Sequence, residues 1–293
     1  MNAFRGMRVN WIAYLYLLPA AAILVAVIGY PLVETLRLSL TNVQLMGSGD
    51  FVGADNFIAL LGDPLFWRTL RRTIIWTVAS VGLKTLVGLG GALLLNERFP
   101  GRDFFRAMVL PPWIVPLSIS ALAWTWLYNG QHGLINGVLL RLHMIQEPFE
   151  LLASRASAFA ACVINDAWVG IPFMCITFLA GLQAIPADLY EAARVDGASR
   201  WQRFRHITLP QLRTVMLMAT LLSSVWTFNS FDIIWVLTGG GPRDATTTLV
   251  IQTFRTAFGS FRFGLASALA VIIFLVLAIV SVIYFRFISL EEE

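Results

Sequence analysis

Six stretches of mostly apolar residues, at about 11 to 33, 73 to 95, 105 to 128, 157 to 182, 213 to 238 and 263 to 286, restrict this chain more than any other feature of it. An apolar run of about 20 residues matches the thickness of a bilayer's hydrocarbon core. Inside that core no water satisfies a backbone N–H or C=O, so a spanning segment must bond internally as a helix or close into a barrel. Barrel strands would be about ten residues long and would alternate in polarity, which these runs do not. The expectation is an all-α, polytopic membrane protein with six transmembrane helices, forming one domain over residues 1–293.

Charge is sparse, at 13% of residues against 58% hydrophobic, where a soluble domain carries about a quarter charged. Of the 21 basic residues every one is arginine except Lys84, which sits in the middle of the second apolar stretch. No run of five or more basic residues occurs, so the net charge of +4 does not point to nucleic acid. With the N-terminus inside, eleven arginines fall on the inner side (5, 8, 98, 102, 106, 194, 200, 203, 205, 213, 286) and nine on the outer (37, 68, 71, 72, 141, 155, 243, 255, 262). The balance tips toward both termini being cytoplasmic. The first apolar run is too long for a signal peptide's core and reads as a retained anchor. Cys162 and Cys175 fall in one helix about 20 Å apart, which points to neither a disulfide nor a metal cluster.

Between the apolar stretches lie polar connections at 39 to 72, 96 to 103, 129 to 156 and 239 to 262, the last entered through "TGGGPRDATTT". The remaining connection, 183 to 212, is different: it holds Arg194, Arg200, Arg203 and Arg205 in a helical pattern. Pro186 suits a first helical turn, Asp188 and Glu191 suit the positive end of the dipole, and Gly197 suits a C-terminal stop. Ser199 and Gln202 have capping-box spacing, starting a second helix expected to run to Pro210. Leu189, Ala192 and Ala193 on the first helix, and Trp201, Phe204 and Ile207 on the second, make apolar faces suited to a partner's cleft. From pattern alone the insert could equally lie on lipid headgroups.

The segment Glu191-Ala192-Ala193, three residues, Gly197, nine residues, Ile207, one residue, Leu209-Pro210 resembles the EAA signature of permease subunits in bacterial binding-protein-dependent ABC importers. The likeness extends through "DGAS" at 196 to 199, and the sugar-type branch is matched again by "FRAMVLPPWIVP" at 105 to 116, "FDIIWVLTGGGP" at 231 to 242 and "FGLASALA" at 263 to 270. The resemblance implies the type I importer permease fold. It makes the insert a coupling helix that docks on a cytoplasmic ATPase through Glu191, Ala192, Ala193, Asp196, Gly197, Ala198 and Arg203. It also implies a second, non-identical permease, two ATPase subunits and an extracytoplasmic sugar-binding protein in a bacterial inner membrane. The loop "TGGGPRDATTT" would meet that binding protein or be a plain Gly-rich turn.

No P-loop is present, because the sole lysine follows Leu83 rather than the Gly that Gly-Lys-Ser/Thr requires. ATP and Mg would therefore belong to the partner ATPases. The run "GLGGALL" at 88 to 94 does not complete G-x-G-x-x-G and reads as a close helix-packing surface. His132, His143 and His206 are dispersed, and no catalytic constellation is visible.

Polar groups inside a span are costly enough to be candidates for function. Ser223, Thr227 and Ser230 share one helix face with Trp226 at its edge, either for sugar hydroxyls or for ordinary helix–helix hydrogen bonds. Asp166 and Gly170 lie one turn apart, and "LPPWIVP" at 110 to 116 predicts an interrupted helix beside Trp113. By the maltose-type resemblance the sugar site is Trp113, Leu117, Asp166, Val169, Gly170, Ser223, Thr227 and Ser230, with Leu117 and Asp166 departing from the family pattern. Lys84 either snorkels, pairs with a buried acid such as Asp166, or binds an anionic sugar phosphate. A rival reading is a membrane enzyme acting on lipid-linked sugars through Asp166, Asp232 and Lys84.

Overall fold

The computed structural model describes residues 11–44 and 49–289. Arg5 and Arg8, which entered the orientation count, lie outside the described residues, as does most of "MGSG" in the first polar connection. The helices are α1 Tyr14–Ser39, α2 Asp55–Gly62, α3 Pro64–Asn96, α4 Arg102–Ile114, α5 Leu117–Leu127, α6 Leu134–Arg141, α7 Arg155–Ala184, α8 Ala187–Val195, α9 Arg200–Phe228, α10 Asp232–Thr238, α11 Leu249–Phe254 and α12 Phe263–Ser289. Among the described residues there is no strand beyond two isolated bridges, so the all-α expectation holds.

α1, α3, α7 and α12 are each long and apolar enough to cross a membrane. The third and fifth expected spans are bent pairs: α4 meets α5 at 98° and α9 meets α10 at 44°. Counting each bent pair as one crossing gives six. The first break falls at Val115 and Pro116, just past Pro111 and Pro112 in the last turns of α4, so the prolines predict its place. The second, at residues 229–231 between α9 and α10, has no proline and was not foreseen.

Several connections expected to be loops are helical. Residues 64–72 extend α3 at its N-terminal end by more than two turns, because Asp63 accepts from the Leu65 N–H (2.8 Å) and Pro64 fits the first turn. Pro210 does not end the insert's second helix. A π turn at Phe204–Thr208 widens the helix around the His206 carbonyl that the proline ring would otherwise strike, and the helix continues to Phe228. The same device, a π turn at Val25–Gly29, precedes Pro31 in α1.

By its internal contacts the chain divides into two compact units, residues 1–62 with 255–272 and residues 63–254 with 273–293. In the first, Asn56 Nδ2 donates to the Ser39 and Thr41 carbonyls (2.9 and 2.8 Å), and the Gly264 N–H donates to Val43 O (3.2 Å). A Cβ on Gly264 would collide with the Thr41 carbonyl, so only glycine fits there. No described side chain from Tyr14 to Leu38 is buried.

The second unit is organised on α3 and α7. Near the start of α7 a core of Trp76, Ala161, Cys162, Ile233, Ile234 and Ile251 is buried, and near its end another of Ala92, Met174, Cys175, Phe178, Leu182 and Leu212. Lipid tails are as apolar as these side chains, so the helices hold together through close van der Waals packing. Glycines permit it: a Cβ at Gly88 would lie 2.5 Å from Met174 Cβ and one at Gly91 would lie 3.1 Å from Cys175 Sγ, as the "GLGGALL" run suggested.

Gly88→Ala should overpack this seam and lower the stability of the solubilised protein by about 1–3 kcal/mol. Gly90→Ala, which points into open space, should hold or raise it. Thermal unfolding of the two variants in the same detergent checks the contrast; equal midpoints would contradict the packing described.

Candidate functional site

The polar residues of α3, α7 and α9 meet at one point. Lys84 on α3 and Asp166 on α7 are 5% and 6% exposed, and Lys84 Nζ lies 2.6 Å from Asp166 Oδ2. That contact is ionic and outside directed hydrogen-bond geometry; the directed bond from the ammonium goes to Thr227 Oγ1 on α9 (2.8 Å). Trp76, two turns before Lys84, donates through Nε1 to the Thr227 carbonyl (2.9 Å), so α3 grips Thr227 at both its side chain and its backbone. Gly170, one turn beyond Asp166, leaves the space that the lysine stem fills. A Cβ there would lie 2.5 Å from Lys84 Cε and 2.7 Å from Cδ.

An unpaired charge in this setting would be expensive, which is why lysine and aspartate sit together rather than singly. Of the options open for Lys84 in the sequence, the structure selects pairing with Asp166. Thr227 is 1% exposed and Ser223 3%, one turn apart on α9, with Ser230 past its end at 8%. The hydroxyl of Ser230 is buried with no hydrogen-bond partner among the described residues. Val169 is also buried.

A second group lies beside this node. Trp113, in α4 at the proline break, is half-exposed and its ring centroid lies 6.1 Å from that of Phe173 on α7; Phe173 in turn lies 5.1 Å from Trp226 on α9. Leu117 opens α5 directly after the break and is partly exposed. Of the sequence-predicted site residues, Asp166, Gly170 and Thr227 thus converge on Lys84, and Trp113 joins an aromatic row. Phe173 was missed although its signal was present: it follows Asp166 and Gly170 at i+7 and i+3 on the same stripe of α7. Asp232, at the start of α10, accepts a hydrogen bond from Ser118 Oγ on α5 (2.8 Å) and stands apart from the Lys84 pair.

The loop at 238–248 is tied down. Arg72 donates to the Thr247 carbonyl (3.0 Å), Thr73 Oγ1 accepts from the Leu249 N–H (2.9 Å), and Thr238 and Thr246 bond through their hydroxyls (2.6 Å). The threonines of "TGGGPRDATTT" therefore knit the loop to itself and to α3.

The charged insert is two helices bent at Gly197, as read from the sequence. Gly197 has φ +78°, with its N–H donating to Arg194 O (3.1 Å) and the Ala198 N–H donating to Ala193 O (2.8 Å), a Schellman ending. The Ser199 N–H donates to Gln202 Oε1 (2.7 Å) and the Gln202 N–H to Ser199 Oγ (3.3 Å), closing the capping box that starts α9. Tyr190 and Thr208 bond through their hydroxyls (3.0 Å) and brace α8 against α9. Glu191, Gly197, Ala198 and Arg203 line a cavity of about 990 Å³ that also takes in Asn96 and Gln183 from the ends of α3 and α7. Ala192 and Asp196 are exposed. Val195 (88% exposed) and Trp201 (65%) present apolar surface to either side of the bend; Val195 was not foreseen.

A fold of bent and unbroken spans around a polar node, with a two-helix knob on one connection, is that of an importer permease. Residues 84–289 match the model of the binding-protein-dependent transport system inner membrane component family, and the chain belongs to that family. It is 41% identical, over 94% of its length and 92% of the relative's, to the trehalose/maltose transport system permease protein MalF of Thermococcus litoralis. It is 36% identical to the sulfoquinovosyl glycerol transport system permease protein SmoG of Agrobacterium fabrum, over 96% and 91%. In fold it is similar to a chain of a bacterial ABC transporter involved in import of the acidic polysaccharide alginate, with a TM-score of 0.82, 21% identity and coverage of 97% and 96%.

Lys84→Met alone should destabilise the protein by about 3–5 kcal/mol by leaving Asp166 buried without its partner. The double variant Lys84→Met with Asp166→Asn should recover much of that loss. Unfolding midpoints of the single and double variants check this; additive losses would contradict a mutual pair.

Proposed function

We propose that this chain is one permease subunit of an ATP-driven importer that carries a di- or oligosaccharide across a bacterial inner membrane by alternating access. The observation that carries the sugar reading is the row Trp113, Phe173 and Trp226 at the proline break, beside the hydroxyl and carboxylate groups of Thr227 and Asp166. Flat apolar rings next to hydroxyl partners suit a ligand with both a C–H face and a rim of hydroxyls. The name of the relative from Thermococcus litoralis supports the same class.

The knob at 183–212 is then the coupling element. ATP and Mg are held by two partner ATPase subunits, whose closure pushes on Val195, Trp201 and their neighbours. A second permease completes the pathway, an extracytoplasmic sugar-binding protein delivers the ligand to the outer face, where "TGGGPRDATTT" lies, and both termini are cytoplasmic. A structure of an alginate transporter in complex with a periplasmic protein bound to alginate pentasaccharide supports a delivery partner of this kind.

Gly197→Val forces a β-branched residue into φ +78°, which costs on the order of 1–3 kcal/mol and should unbend the knob. In membrane vesicles containing the assembled importer, sugar uptake and binding-protein-stimulated ATP hydrolysis should fall together by tenfold or more, with the amount of inserted protein unchanged. Normal stimulation in this variant would count against the coupling role.

A further inference from the structure

Lys84 is the sole lysine of the chain, and it lies at the node that the proposed sugar pathway passes. Three residues of the two helices packed against α3 meet the Lys84 side chain. From α7 come the Asp166 carboxylate at 2.6 Å and the bare backbone of Gly170; from α9 comes the Thr227 hydroxyl at 2.8 Å. On α3 itself, Ser80 one turn earlier is fully buried. None of the three neighbours adds positive charge, and Asp166 cancels the ammonium at contact distance. Asp232, at the start of α10, accepts a hydrogen bond from Ser118 and likewise carries no positive charge.

An uncompensated ammonium in a low-dielectric site is a strong anion attractor, because Coulomb energy scales inversely with the effective dielectric. A compensated pair of the same atoms is a weak dipole. The node adjoins the aromatic row by sequence on two helices, Gly170 three residues before Phe173 on α7 and Thr227 directly after Trp226 on α9. Ligand on those rings therefore meets the field of the pair.

We propose that Lys84 and Asp166 together set the charge of ligand that the pathway accepts: with Asp166 ionised the pair gives an anion no foothold, and neutralising Asp166 turns the same position into an anion-attracting one. Asp166 is thus a specificity-determining residue acting through Lys84. This deepens the sugar-permease reading and rests on it only for what travels past the node.

The sole lysine makes the test direct. The full chain, purified with its partner subunits in lipid nanodiscs, is treated with anionic trinitrobenzenesulfonate or with neutral fluorodinitrobenzene. The amine displaces sulfite from the first and fluoride from the second, and the Lys84 peptide is quantified by mass spectrometry. The ratio of the two rates cancels the amine's own nucleophilicity. In the wild type the anionic-to-neutral ratio should lie below that of free Nα-acetyl-lysine, and Asp166→Asn should raise it tenfold or more while Asp166→Glu leaves it near the wild-type value. Where Asp166→Asn does not assemble, Asp166→Ser carries the same expectation. A wild-type ratio equal to that of the free amine, or a ratio unmoved by neutralising Asp166, overturns the proposal. Labelling does not depend on transport, so loss of the sugar reading in an uptake assay is distinguishable from loss of this one.

Discussion

A charge cannot be left alone between membrane helices, and the second unit is arranged around that constraint. Lys84 can reach Asp166 and Thr227 only because α3 lies close against α7, and α3 lies that close because Gly88 and Gly91 have no side chains to hold Met174 and Cys175 away. Gly170 then gives the lysine stem room to lie flat along α7. Glycine packing and ion pairing are thus one feature: the seam brings the charges together, and the charges tie α9 to the seam.

Continuity of α9 gives that tie its mechanical meaning. The helix starts at the capping box of Ser199 and Gln202 and runs without interruption to Phe228, a length of roughly 40 Å at 1.5 Å per residue. One end carries the exposed knob surface and the other carries Thr227, held by Lys84 and Trp76. The π turn at Phe204–Thr208 keeps the helix whole where Pro210 would have broken it. Under the proposed function, a push on the knob reaches the polar node through a single rigid element, with the bend at residues 229–231 beyond it.

The breaks have the opposite use. At Val115 and Pro116 the backbone turns through 98° between α4 and α5, and Trp113 just before the turn lies beside Phe173. Irregular backbone at this depth is tolerated where it faces protein or a polar cavity, and here it brings an aromatic ring beside the stripe of α7 that carries Asp166 and Gly170.

Length and apolarity determined the six apolar stretches and their helical character, since hydrocarbon leaves the backbone no other way to bond, but not the bend between α9 and α10 or the short helices in the connections. Local chemistry determined the bend of the insert: the left-handed Gly197 and the Ser199–Gln202 box depend on residues within about one turn of each other. Part of the polar node was legible in the same way, because Asp166, Gly170 and Thr227 are costly or small at helical spacing. Tertiary structure decided the rest. Which of its possible partners Lys84 takes, that Phe173 and Trp226 complete a row begun by Trp113, and that Thr246 and Thr247 lash the Gly-rich loop down all depend on contacts between residues from 8 to 175 positions apart. The survival of the helix through Pro210 was also hidden, because a π turn has no composition of its own: it appears only when packing on both sides makes keeping the helix cheaper than ending it.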